Sequence, residues 1–115
     1  MPNPFLQWLK NLLRAPESIT PEQALELHKK GAVLLDVRTR PEHQQEHIAK
    51  SLSVPLSDLA GQLSKLPEKP LIVYCQSGMR SAQAARLLMR EGKQVYNLTG
   101  GILQWKQAQQ PTRKG

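Results

Sequence analysis

Two short, unbroken apolar runs constrain this chain more than any other feature: Ala32-Val33-Leu34-Leu35 and Leu71-Ile72-Val73-Tyr74. Each is too short for a core helix, and neither alternates with polar residues. Runs of that kind fit strands buried on both faces, as in a parallel sheet covered by helices. The flanking segments carry helical signals. Thr20-Pro21-Glu22-Gln23 combines an N-cap, a first-turn proline and a capping-box glutamine, so a helix is predicted to run to Lys30 and stop at Gly31. Thr39, Pro41 and Glu42 repeat the device for a second, short helix. Leu52-Ser53-Val54 reads as a brief strand stopped by Pro55. Leu56, Leu59, Leu63 and Leu66 follow at helical spacing, with Gly61 dividing them. A helix is expected from Ser81 to Glu91, closed by Gly92. A strand follows from Gln94 to Leu98, then a turn at Thr99-Gly100-Gly101 and a last helix from Ile102 to Gln109. Strands alternate with helices, so the class is α/β with a mainly parallel sheet.

A chain of 115 residues holds one such domain. We divide it into an N-terminal amphipathic helix and linker (1–16), a folded domain (17–110) and a frayed basic tail (111–115). Phe5, Trp8, Leu9 and Leu12 recur at helical spacing, with Lys10 and Arg14 beside them. Residues 5–13 therefore either dock on the domain or contact a membrane surface or protein partner. Trp8 and Trp105 are expected in packing roles. The net charge is +7, but much of the excess sits on the ends: Lys10 and Arg14 in residues 1–14, and Lys106, Arg113 and Lys114 in residues 106–115, with no acid in either segment. There is no basic stripe interleaved with aromatics, which excludes nucleic acid as the main partner and leaves attraction of small anions. One cysteine, Cys75, excludes an internal disulfide and a C-x-x-C redox pair. No secretory signal is visible, and reducing cytoplasm is the expected compartment.

Cys75 ends a buried strand and opens the loop Cys75-Gln76-Ser77-Gly78-Met79-Arg80, with Ser81 and a helix beyond. Ligand sites of open α/β sheets lie just outside the carboxyl ends of their strands. Gly78 permits a backbone turn that gathers N–H groups into one concavity, and the following helix start adds partial positive charge. Arg80 adds a full charge. A thiol in such a cradle has a lowered pKa, and the cradle stabilises an anion or a charged sulfur adduct. Asp36, Arg38 and Glu42 are placed to form a charged network near the loop; they either shape the site or tie a strand end to the next helix. His43-Gln44-Gln45-Glu46-His47 matches the H-x-x-E-H zinc pattern. The segment is too short to bring an inverzincin core into this fold, so no metal is assigned; His43 is expected on the surface and His47 in a structural role.

These motifs together resemble the single-domain rhodaneses, the thiosulfate sulfurtransferases. Leu34-Leu35-Asp36-Val37-Arg38 with Glu42, Glu46-His47-Ile48 to Val54-Pro55, Ile72 through Ser81, and Leu98-Thr99-Gly100-Gly101-Ile102 with Trp105 fall in the family's order over residues 18–108. Glu46 stands where the family usually has glycine, which puts the local turn in question. The resemblance implies a central five-stranded sheet flanked by helices and no cofactor. It implies sulfur transfer through a Cys75 persulfide, from a small anionic donor such as thiosulfate to cyanide or a thiol. Gln76, Ser77, Gly78, Met79, Arg80 and Ser81 are implied as substrate-binding, with Asp36 and Arg38 shaping the site. The six-residue loop, C-x4-R, suits one sulfur atom on the cysteine, whereas related phosphatases and arsenate reductases use C-x5-R. The other alternative is a non-catalytic or redox-sensing binding module of the same fold.

Overall fold

A computed structural model describes residues 3–13 and 15–115, with the side chains of residues 11–13 outside the description. The elements in chain order are α1 (Pro4–Leu13), β1 (Glu17–Ile19), α2 (Pro21–Lys29), β2 (Val33–Asp36), α3 (Arg40–Gln45), β3 (His47–Ile48), β4 (Leu52–Ser53), α4 (Leu56–Leu59), a 3-10 segment (Ala60–Lys65), β5 (Leu71–Tyr74), α5 (Met79–Arg90), β6 (Val95–Leu98), α6 (Gly101–Gln107) and β7 (Thr112–Arg113). Five strands form one sheet in the order β1-β6-β5-β2-β4, every pair parallel.

The two apolar runs are the adjacent central strands β5 and β2, in register from Val33 opposite Leu71 to Asp36 opposite Tyr74. Alternation along β5 splits its side chains between two cores. Leu71, Val73 and Cys75 join Leu35, Val37, Leu59, Ala84, Ala85 and Leu88 on the α4–α5 face. Ile72 and Tyr74 join Leu34, Ala24, Ile48, Ile102 and Trp105 on the α2–α6 face. A continuous apolar run is what two-sided burial requires, and the same alternation aims the Cys75 sulfur toward α5. From β2 the chain moves outward to β4, and from β5 it moves the other way to β6. The carboxyl ends of β2 and β5 therefore flank a switch point, where such sheets open a crevice.

Both threonine starts form as predicted. The Thr20 hydroxyl accepts from the Gln23 N–H and the Gln23 side chain accepts from the Thr20 N–H, and Thr39 and Glu42 do the same for α3. Gly61 lies where helical hydrogen bonding tightens to 3-10 geometry. α5 begins two residues earlier than expected, at Met79, because Gly78 takes a left-handed conformation (φ 119°) and serves as its N-cap.

The expected frayed tail is ordered instead. Thr112 and Arg113 pair antiparallel with Ile48 and His47, Pro111 accepts from the Trp105 indole (3.0 Å), and the Gly115 N–H donates to the Gln44 carbonyl (2.6 Å). Residues 111–115 are a strap across α3 and α6. The sequence shows no apolar pattern there, since pairing with the two-residue strand β3 is a tertiary event. At the other end, α1 lies beside α5, capped by the Asn3 side chain. Phe5 is 63% and Trp8 56% exposed, so of the two tryptophans only Trp105 is a core residue. Leu12 belongs to the side chains outside the description, and Arg14 lies outside the described residues. No helix among the described residues is long and apolar enough to cross a membrane.

Candidate active site

Cys75 follows β5 directly and is 1% exposed. Its Sγ accepts from the Gly78 backbone N–H at 3.0 Å and sits 3.4 Å from the Ser81 hydroxyl. That hydroxyl also donates to the Gly78 carbonyl at 3.1 Å. With a neutral thiol, the S–H donates to Ser81 Oγ. Once the thiol ionises, the Ser81 proton is free to turn toward the sulfur. Burial pushes the thiol pKa up. The Ser81 hydroxyl and the backbone N–H groups of Ser81, Gly78 and Ser77 together outweigh it and hold Cys75 below the usual thiol value. The cradle thus combines N–H groups of the loop, from Ser77 and Gly78, with one from the first turn of α5, at Ser81.

Of the predicted substrate-binding residues, Gln76 and Ser77 face solvent and Met79 is 84% exposed. Ser81 is fully buried. Its hydroxyl lies against the sulfur from within the fold.

The free charge expected of Arg80 is not there. Its guanidinium makes a bidentate pair with Glu42, at 2.7 and 2.9 Å. Glu42 is pulled down to about 2, chiefly by Arg80 and further by the Thr39 N–H and hydroxyl, against a smaller opposing effect of burial. One carboxylate therefore closes the cap of α3 and holds the sixth residue of the cysteine loop.

Asp36 and Arg38 form a second, separate pair at the end of β2. Arg38 Nε and Nη2 bind both Asp36 oxygens (2.8–3.2 Å), and Nη2 also donates to the Glu46 carbonyl (2.6 Å). Both residues are buried. His43, expected on the surface, is half-buried and bonds Asp36 Oδ2 through Nδ1 at 2.9 Å. Its ring stacks on His47 (centroids 3.9 Å apart), whose Nδ1 meets the His43 carbonyl at 2.8 Å. Glu46, the third member of the H-x-x-E-H pattern, turns away to accept from Lys106 Nζ (2.6 Å) and Thr112 Oγ1 (2.7 Å). Its backbone is extended (φ −166°), a conformation open to any residue, so replacing the family's glycine strains nothing.

The last glycine pair locks the loop from behind. Gly100 and Gly101 both have positive φ, which lets α6 start against the cysteine loop. The Ile102 N–H donates to the Cys75 carbonyl (2.9 Å) and the Leu103 N–H to the Gln76 carbonyl (3.3 Å). A Cβ on Gly101 would collide with both carbonyls. A cleft of about 370 Å3 opens beside the loop, over the switch point, with Arg38, Glu42, Glu46, Gln76 and Lys106 among its walls. The site residues read from the sequence did not include Gln45, Lys106 or Lys114, which border it. The only sequence signal for them was the cluster of basic residues near the end of the chain.

Comparison with known proteins agrees with this geometry. The model of the rhodanese-like domain matches residues 20–108. A thiosulfate sulfurtransferase, GlpE, of Coxiella burnetii is 41% identical over 93 residues, covering 78% of this chain and 86% of the relative. An uncharacterized Synechocystis protein is 41% identical over 100 residues, and the chain spans 56% of its length and matches over 84% of its own. Among solved structures, a rhodanese-related protein of Thermoplasma volcanium superposes with a TM-score of 0.79 at 31% identity, covering 86% of this chain and 99% of that one.

Proposed function

The chain belongs to the rhodanese-like family, and from that premise we propose that it is a thiosulfate sulfurtransferase working through a persulfide on Cys75. The observation that carries this reading is the Cys75 sulfur itself. It is buried at the carboxyl end of a central strand and held below its ordinary pKa by a hydroxyl and backbone N–H groups at a helix start. Such an arrangement favours the thiolate and supplies positive potential for one added sulfur.

In the first half-reaction the thiolate attacks the outer sulfur of thiosulfate. The S–S bond of the donor breaks, sulfite leaves with its electron pair, and Cys75–S–S⁻ remains. In the second, cyanide attacks the outer sulfur, thiocyanate forms and the Cys75 thiolate returns. Charge balances in both steps, and two covalent half-reactions give ping-pong kinetics. The N–H groups of the loop serve the outer sulfur of the persulfide as they serve the thiolate. Asp36, Arg38 and His43 touch no reacting atom; they fix the end of β2 beside the loop. Chemistry that cycles a free thiol suits a reducing cytoplasm. Residues 1–16 stand outside this mechanism, and the exposed Phe5, Leu6 and Trp8 fit a contact with a membrane surface or a protein.

The test is intact-mass measurement after incubation with thiosulfate. A gain of one sulfur atom on Cys75, reversed by cyanide with release of thiocyanate, is expected. An unchanged mass under conditions where the thiol alkylates readily overturns the proposal.

A further inference from the structure

The cleft beside the loop is larger than thiosulfate or cyanide needs. Its volume of about 370 Å3 lies in the size class that takes small organic molecules. Its walls also differ from those of an inorganic-anion site. Most of the charge is already spent: Arg38 on Asp36, Arg80 on Glu42, and Lys106 on Glu46. Ile102 and Leu103 give one apolar wall, and Gln45 and Gln76 bring amides.

Lys114 is the exception. It borders the cleft, and its charge helps lower Glu46, behind the larger effects of Lys106 and Thr112. Among the described residues it forms no ion pair. Its backbone position is fixed on both sides, since Arg113 pairs with His47 and the Gly115 N–H bonds the Gln44 carbonyl. The strap therefore presents an unmatched ammonium to a cleft that is otherwise charge-balanced and partly apolar, next to the residue that follows Cys75.

We infer that this cleft holds the organic part of the sulfur acceptor, and that Lys114 selects a small thiol carrying a carboxylate. The inference rests on the sulfur-transfer reading and names the acceptor class for it. The acceptor thiolate attacks the outer sulfur of Cys75–S–S⁻, the S–S bond breaks toward Cys75, and an organic persulfide anion leaves as the Cys75 thiolate is restored. Lys114 touches neither sulfur; it positions the acceptor through its carboxylate.

Single-turnover discharge separates this from donor binding. The protein is loaded with thiosulfate, desalted, and discharged with 3-mercaptopropionate (anionic tail), 2-mercaptoethanol (neutral) or cysteamine (cationic tail). Comparing each thiol between parent and variant cancels its intrinsic nucleophilicity. Lys114→Glu changes a solvent-exposed side chain and is expected to leave the melt unaltered. The rate ratio of 3-mercaptopropionate to cysteamine should fall by about tenfold, the size of inverting one exposed charge, with 2-mercaptoethanol nearly unmoved. Lys114→Met should fall between. Normal loading with an unchanged ratio in Lys114→Glu overturns the acceptor assignment alone. Failure of the parent protein to load overturns the sulfur-transfer reading, and the acceptor assignment falls with it.

Discussion

Helices α5 and α6 start the same way and end up in opposite employment. Each is preceded by a glycine with positive φ, Gly78 at 119° and Gly100 at 71°, and neither has a side-chain cap. At α6 the exposed N–H groups are consumed by the protein, donating to the carbonyls of Cys75 and Gln76. At α5 the N–H groups of the Gly78 cap and of Ser81 face a sulfur atom. Helices α2 and α3, by contrast, close their own starts with Thr20–Gln23 and Thr39–Glu42 capping boxes. A capped start satisfies itself, whereas a glycine start leaves donors for something else. One such start holds the loop, and the other surrounds the sulfur that the proposed chemistry needs.

The largest effects should come from removing what each start serves. Cys75→Ser takes the sulfur from the α5 cradle. Cyanide-dependent thiocyanate formation should vanish, with a circular dichroism spectrum matching the parent. Measurable turnover in that variant would show that the cradle works without its nucleophile. Gly101→Ala attacks the α6 side. Its Cβ would press on the Cys75 and Gln76 carbonyls at a φ of 60°, so strain and lost hydrogen bonds should cost on the order of 3 kcal/mol. A lower denaturation midpoint and slower persulfide formation should appear together. A loss of stability with an unperturbed Cys75 alkylation rate would mean that α6 does not hold the loop.

Ser81→Ala is a finer cut, within the α5 start itself. It removes the one side-chain donor to the sulfur among the described residues and keeps the backbone N–H groups. The thiol pKa should rise, so alkylation at neutral pH slows and its pH–rate profile moves to the alkaline side. An unmoved profile would assign all of the pKa lowering to the backbone.

These contrasts explain how much of the molecule could be read beforehand. Leu34-Leu35 and Leu71 to Tyr74 announce their strands because burial on both faces leaves no choice of residue type. Thr20 and Thr39 announce their helices because the cap closes within four residues. The cradle geometry around Cys75 is legible because strand, cysteine, glycine and helix are contiguous. What stayed hidden depends on partners distant in sequence. Arg80 reads as a free cation until Glu42 is found bonded to it across 38 positions. His43 reads as a surface residue until Asp36 meets it. Residues 111–115 read as a loose tail because nothing local shows that β3 and Glu46 receive them.

The smallest predicted effect tests that long-range pair. Arg80 donates to both oxygens of Glu42, so at neutral pH the two charges largely cancel at the sulfur. Glu42 is depressed to about 2 from 4.5. Its contribution to stability is therefore complete above pH 4.5 and is lost as the pH falls from there toward 2. At neutral pH the pair is intact, and breaking it from either side uncovers the other charge. Arg80→Ala leaves a bare carboxylate near the loop and should raise the Cys75 pKa. Glu42→Gln keeps an N3 side chain able to cap α3, leaves a bare guanidinium and should lower it. Both groups are partly exposed, so each shift should be a few tenths of a unit and should shrink at high salt. The double variant should return close to the parent. The check is the midpoint of the Cys75 alkylation profile in all four proteins. Shifts of the same sign in the two single variants would mean that the pair acts by holding the loop's shape, and that its charge is incidental.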